Sequence, residues 1–302
     1  MKRRSSVSGR CRLSRFSKWN AAVVLIPMLL MPLRFAWADS DGIERQLKSE
    51  YANKVLTLRH FYSGDHLRFR ADGALLGDAE VGPWTVDAQI AVKEVRLRGE
   101  GLIINGRRIY TVFDSQFKPQ DELMTLEHNH DKASKDAKKI LRSLSVEIEI
   151  ELPSEKPDQK DISSAIHGVF LTESESMLDV VPNYWRAYFT KQEGKPESTP
   201  KSEEPVYRAN PGAGISVPHP TYLPDPEYSE EARELKYHGT VLISLVVDAS
   251  GSPIDLQIER PTGLGLDEKA VAAVTTWKFE PAQKDGKPVS VAISVELQFN
   301  IY

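Results

Sequence analysis

His128 and His130 stand two residues apart in the run His128-Asn129-His130-Asp131. On a strand that spacing turns both imidazoles to one side, as the first two ligands of a metal must be. No third ligand follows at a telling distance, so the pair reads as solvated loop histidines. Glu147, Glu149 and Glu151 line one strand face and raise the question of calcium. Their alternation with Val146, Ile148, Ile150 and Leu152 reads instead as the wet side of an amphipathic strand. The chain has no Gly-rich phosphate loop, no G-x-S-x-G elbow and no H-E-x-x-H. Gly263-Leu264-Gly265 is a turn before a helix, not a nucleotide fingerprint. These residue types predict no enzyme, no metal and no cofactor.

A different chemistry, that of the backbone itself, is written into the end of the chain. Every odd position from Val289 to Ile301 is apolar, and Ser290, Ala292, Ser294, Glu296, Gln298 and Asn300 fill the even ones. Such a strand buries one face and wets the other. A small sheet ending in a long strand has an edge of unpaired N–H and C=O groups that can accept a strand from another chain. The expected docking residues are Val291, Ala292, Ile293, Ser294, Val295, Glu296, Leu297 and Gln298. The competing expectation is that a neighbouring strand or a second copy satisfies this edge.

The elements that must position this strand are legible upstream. Ser229 suits the N-cap of a short helix over Glu230–Lys236, which His238-Gly239 ends. Val241, Ile243, Leu245 and Val247 alternate as a strand, Asp248-Ala249-Ser250-Gly251 turns, and Ile254, Leu256 and Ile258 return. Asp267 is placed to cap a helix whose buried face is Leu266, Ala270, Val274 and Trp277. Residues 41–190 read as an α+β domain of mostly antiparallel hairpins. Strands are expected over Val55–Tyr62 and His66–Arg70, joined at Ser63-Gly64-Asp65, and over Trp84–Val92. A hairpin is expected to turn on Asn105-Gly106. Helices are expected around Ala133, Ala137 and Leu141 and around Ile162, Ile166 and Val169, with Trp185, Tyr188 and Phe189 packing back on that domain's sheet. Residues 191–225, with Pro196, Pro200, Pro205, Pro211, Pro218, Pro220 and Pro224 among charged residues, read as an extended linker.

Charge separates the N-terminus from the rest. Eight Lys and Arg and no acidic residue precede Asp39, and an apolar run from Ala21 to Leu33 leads to Ala36-Trp37-Ala38. Residues 1–38 therefore read as a secretory signal cleaved after Ala38, with a short membrane anchor as the alternative. Without those eight, 31 Lys and Arg remain against 43 Asp and Glu, a formal charge of −12 that argues against nucleic acid as a partner. Cys11 precedes the cut, so an exported chain would carry neither thiol nor disulfide.

Residues 226–302 resemble the TonB C-terminal domain. The resemblance is carried by Pro226-Glu227-Tyr228-Ser229-Glu230-Glu231-Ala232, Gly239-Thr240-Val241, Val247-Asp248-Ala249-Ser250-Gly251, Gly265-Leu266-Asp267-Glu268-Lys269-Ala270, Trp277-Lys278-Phe279-Glu280-Pro281-Ala282 and Asp285-Gly286-Lys287-Pro288-Val289, in that order. It implies two helices on a small antiparallel sheet. It also implies an energy transducer, in which an inner-membrane anchor takes work from a proton-driven motor and the C-terminal domain grips an outer-membrane receptor by strand addition. The family's anchor carries a Ser and a His, and Ala21–Ala38 contains neither. Two functions are therefore expected in the periplasm. One is docking to an outer-membrane transport receptor in energised transport; the alternative is a non-energised soluble adaptor whose module contacts another envelope protein or forms a homodimer. Sequencing the N-terminus of the exported protein separates them: a start at Asp39 favours the adaptor, whereas an intact Ala21–Leu33 segment in the membrane fraction favours the energised transducer.

Overall fold

Two sheets of alternating residues, each packed against helices on its apolar face, hold the two main cores. The computed structural model describes residues 40–121, 144–154, 157–195, 205–209 and 214–301. The expected signal segment, the His128–Asp131 run and the helix around Ala133–Leu141 lie outside them. In chain order the elements begin with α1 (Ser40–Tyr51), β1 (Val55–Thr57), β2 (His66–Phe69), α2 (Trp84–Asp87), β3 (Gln89–Arg98) and β4 (Gly101–Arg108). There follow β5 (Thr111–Phe113), β6 (Pro119–Asp121), β7 (Ser145–Glu151), α3 (Gln159–Val169), α4 (Arg186–Gln192), β8 (Tyr207–Arg208) and β9 (His219–Tyr222). The C-terminal part holds α5 (Glu230–Glu234), β10 (Gly239–Val247), β11 (Pro253–Arg260), α6 (Leu266–Thr275), β12 (Lys278–Glu280), β13 (Ala282–Lys284), β14 (Lys287–Val289) and β15 (Val291–Phe299). The fold is α+β. No helix among the described residues is long and apolar enough to cross a membrane.

The first sheet has the order β1-β3-β4-β7-β2. Ile90, Val92, Leu102, Ile104, Ile148 and Ile150 form its inner face, against Leu47 and Tyr51 of α1 and Ile162, Ile166 and Val169 of α3. Asp158 caps α3 by accepting from Asp161 N at 2.8 Å. Several sequence expectations change here. β1 and β2 are not a hairpin: β1 pairs with β3 at one edge, and β2 runs parallel to β7 at the other. Trp84–Asp87 is one helical turn rather than strand, because Pro83 fixes its start and all four side chains are buried, leaving no wet face for alternation. Asn105-Gly106 is not a turn. β4 runs straight through it, and the hairpin closes two residues after β3, at Gly99-Glu100, where Gly99 has φ 59°. Gly106 serves a close approach instead, since a Cβ there would lie 2.6 Å from Ile90 Cγ2.

The second sheet has the order β11-β10-β15-β8. Val241, Ile243, Leu245 and Val247 of β10, Ile258 of β11 and Leu297 and Phe299 of β15 share a core with Leu266, Ala270, Val271 and Val274 of α6. Asp267 does not cap α6. Gly265 holds the N-cap position with φ 75°, and the fully buried Asp267 carboxylate accepts from Thr262 N and Gly263 N at 2.9 and 2.7 Å, tying down the preceding loop. The expected single last strand is two. β14 turns back on β13, and the chain breaks at Ser290 before β15 begins.

From Ala38 onward the chain is one compact unit. The two regions keep their own sheets and share a core where they meet. Trp185, Tyr188 and Phe189 pack with Trp84 and Phe113, not on the first sheet; the Trp84 and Trp185 ring centroids are 5.3 Å apart. Trp84, Trp185 and Tyr188 belong to the same buried cluster as Leu264, Leu266 and Val271. Hydrogen bonds cross the junction: Leu264 N donates to the Thr111 backbone O at 3.1 Å, and Gly265 N to the Thr85 side-chain Oγ1 at 3.0 Å. Gly263 makes this approach possible. Its φ is 94°, and a Cβ would sit 2.3 Å from Thr111 O. Gly263→Ala is expected to destabilise the protein by about 2 kcal/mol or more, from backbone strain and loss of the junction. Urea unfolding checks this, and a midpoint unchanged from wild type would refute it.

Candidate strand-docking edge

β15 owes its position to β10. The two pair antiparallel over nine residues in unbroken register, from Gly239 opposite Phe299 to Val247 opposite Val291. Within β15, Val291, Leu297 and Phe299 are buried, Ile293 and Val295 half-buried, and Ala292, Ser294, Glu296 and Gln298 exposed. Glu296 forms an ion pair with Arg260 of β11 on this wet face, across Leu242 of β10.

The outer side of β15 is partly occupied by the chain itself. β8 pairs parallel with it at Val291 and Ala292 only. Tyr207 N donates to Ser290 O at 2.9 Å, so Ser290 turns its backbone outward. Backbone groups alternate sides along a strand, and the β10 ladder has no bulge in this stretch. The N–H and C=O of Ser294, Glu296 and Gln298 therefore also face outward. No strand among the described residues pairs with Ile293–Phe299 on that side. β8 is held by Tyr207, which packs with Ile215, Ala282 and Val291 and carries Lys284 Nζ 4.4 Å above its ring. A groove of about 750 Å³ follows the wet face beside it, lined by Tyr207, Arg208, Ser244, Asp255, Ala292 and Ser294 among others.

The opposite edge of this sheet is different. Asn183–Trp185 and α4 pack against β11, and Ala187 N donates to the Gln257 side chain at 3.1 Å. Sequence reasoning did not place β8 within residues 191–225. The signal available was Val206-Tyr207, an aromatic and β-branched pair just after Pro205 in an otherwise polar stretch.

Residues 224–301 match the family described as Gram-negative bacterial TonB protein C-terminal. They form a TonB-family C-terminal domain. Over 79 residues the chain is 39% identical to the protein tonB2 of Pseudomonas aeruginosa, covering 26% of this chain and 29% of that one. Over 77 residues it is 35% identical to the protein TonB of Vibrio cholerae, covering 25% and 32%. The match thus spans less than a third of either relative's length. The solution NMR structure of the Pseudomonas aeruginosa TonB C-terminal domain aligns at 23% identity over 30% of this chain and 88% of that one, with a TM-score of 0.24.

Buried acids lie on both sides of the junction, and one of them, Glu268, accepts from Trp185 Nε1 across it at 2.9 Å. Burial pushes Asp87 up to about 6, although Arg108 lies 3.0 Å away, and the same burial pulls Arg108 down. Burial also raises Asp267, Glu268 and Glu231. Each of these binds its proton more tightly folded than unfolded. Their contribution is complete below an ordinary carboxylate value of about 4 and is lost as pH rises through the folded value, about 6 for Asp87. Glu175 moves the other way, to about 2, held by hydrogen bonds from Arg59 and Thr172. Its contribution is lost as pH falls from about 4.5 toward that value. Thermal unfolding should show the highest Tm near about pH 4.5, with a fall of a few degrees by pH 8; a Tm that rises from pH 5 to 8 would contradict this.

Proposed function

We propose that this is a non-enzymatic TonB-family protein of the periplasm that docks an extended segment of an outer-membrane transport receptor on β15, in support of energised transport. The observation that carries this reading is the outer edge of β15 beyond Ala292, in a TonB C-terminal domain whose other edge strand is packed against α4. An added strand would take its main-chain bonds from Ser294, Glu296 and Gln298 and set side chains into the groove beside Tyr207. The site needs no titrating group, metal or nucleophile, because the recognition chemistry is that of a sheet edge.

Proline substitutions separate the edge from the fold. At Glu296 a proline removes an outward N–H and leaves the β10 ladder intact, whereas at Val295 it removes a ladder bond. Glu296→Pro is expected to keep the wild-type circular dichroism and to weaken binding of receptor N-terminal peptides at least tenfold, about 1.4 kcal/mol. Val295→Pro is expected to lose about 3 kcal/mol of stability. Fluorescence polarisation with the full chain and labelled peptides measures the binding. Binding no better than to a scrambled peptide would sink the proposal. Self-association that Glu296→Pro abolishes would favour the adaptor instead.

A further inference from the structure

β8 is lightly attached to the sheet it joins. Its ladder with β15 is two residues long, against nine between β15 and β10. Val206 and Arg208 on either side of Tyr207 are exposed. The main anchor is therefore the Tyr207 ring, seated with Ile215, Ala282 and Val291 below Lys284 Nζ. That seat is built without β8. Val291 is paired with Val247 of β10, and Ala282 with Val289 of β14. Next to Ile215, Ser216 N donates to Gln283 O at 2.9 Å and Ser216 Oγ accepts from Gln283 N at 2.8 Å. Without β8, an apolar seat and the outward backbone of Ser290 and Ala292 would remain in place.

We propose that β8 is an in-chain stand-in for the partner strand, displaced on docking, and that the partner sets an aromatic or large aliphatic side chain in the seat Tyr207 leaves. This rests on the reading of β15 as a docking edge. A segment paired with Ser294, Glu296 and Gln298 ends against β8. By extending toward the start of β15 it reaches the backbone of Ala292 and Ser290 in line with its own ladder. β8 opposes this with few contacts, and segments held by few contacts open at low cost. An apolar seat left empty is unfavourable, so the incoming chain has to refill it. An aromatic ring does so best, because it also recovers the contact with the Lys284 ammonium. Until then β8 keeps the start of the edge covered, which limits strand addition by chains that cannot fill the seat. It also lowers the apparent affinity of every partner by the fraction of molecules in which β8 is in place.

Hydrogen exchange at the Tyr207 amide tests this, in the full chain labelled with ¹⁵N-tyrosine and with the signal assigned by its absence from Tyr207→Phe. In the free chain the bond to Ser290 O should slow exchange. Saturation with a receptor N-terminal peptide is expected to speed it by about tenfold or more. Tyr207→Ala, with the wild-type circular dichroism, should bind the same peptide at least about threefold tighter, because the competitor is gone. Tyr207→Phe keeps the ring in its seat and should bind within about twofold of wild type. A peptide whose aromatic and large aliphatic residues are replaced by alanine should leave the Tyr207 amide protected. Wild-type chain that binds the unaltered peptide while the Tyr207 amide stays protected overturns the displacement and leaves the docking edge standing. Absence of binding to both wild type and Tyr207→Ala overturns the docking reading and the displacement together. Binding by Tyr207→Ala alone supports the displacement, with β8 as the block.

Discussion

The nine-residue ladder between β10 and β15 is the constraint on which the proposed docking edge depends. Its register fixes two things at once. It sends Val291, Leu297 and Phe299 into apolar cores, and it turns the backbone of Ser294, Glu296 and Gln298 away from β10. A slip of one residue would exchange both sets, putting Glu296 in the core and pairing the wrong amides. Burial of the odd residues therefore specifies which backbone groups of β15 point away from β10. The affinity of such an edge is main-chain chemistry, but its aim is set by the hydrophobic core.

Around that ladder the rest of the chain restricts where a partner strand can add. β11 is packed against Asn183–Trp185 and α4, and the first two residues of β15 are paired with β8. What remains is a short stretch on one side of one strand. Exposed edges are liabilities for any sheet, and covering one while shortening the other narrows the choice of partners. The aromatic cluster of Trp84, Phe113, Trp185, Tyr188 and Phe189 is what holds the covering elements in place. Each contact is modest alone, on the order of 1 kcal/mol. Together with Gly263 they fuse the middle region to the TonB C-terminal domain, so β15 is presented by a two-sheet body.

Residues 226–302 were legible because their signals are local. Alternation in β10 and β15, the Ser229 cap, whose hydroxyl accepts from Ala232 N, and the turn at Asp248–Gly251 each act within a few residues. Where two local signals competed, the sequence reading failed. Asn105-Gly106 has the composition of a hairpin turn, yet the strand continues because Gly106 lies close against Ile90 and Ala91 across the ladder. Trp84–Val92 alternates like a strand, yet its first turn is buried on every side. Asp267 has the type and place of a cap, but its carboxylate is used by the loop before it. In each case the deciding partner lies on another element or segment, beyond the reach of a pattern.

By itself the sequence determined the α+β class, the order of the two helices and the three long strands in the last 77 residues, and the alternating burial of the final strand, since period-two burial needs no knowledge of neighbours. Only the tertiary structure decided which side of that strand is open. β8, α4 and the junction at Gly263 come from far along the chain, and their packing depends on close approach and shared burial rather than on any local rule.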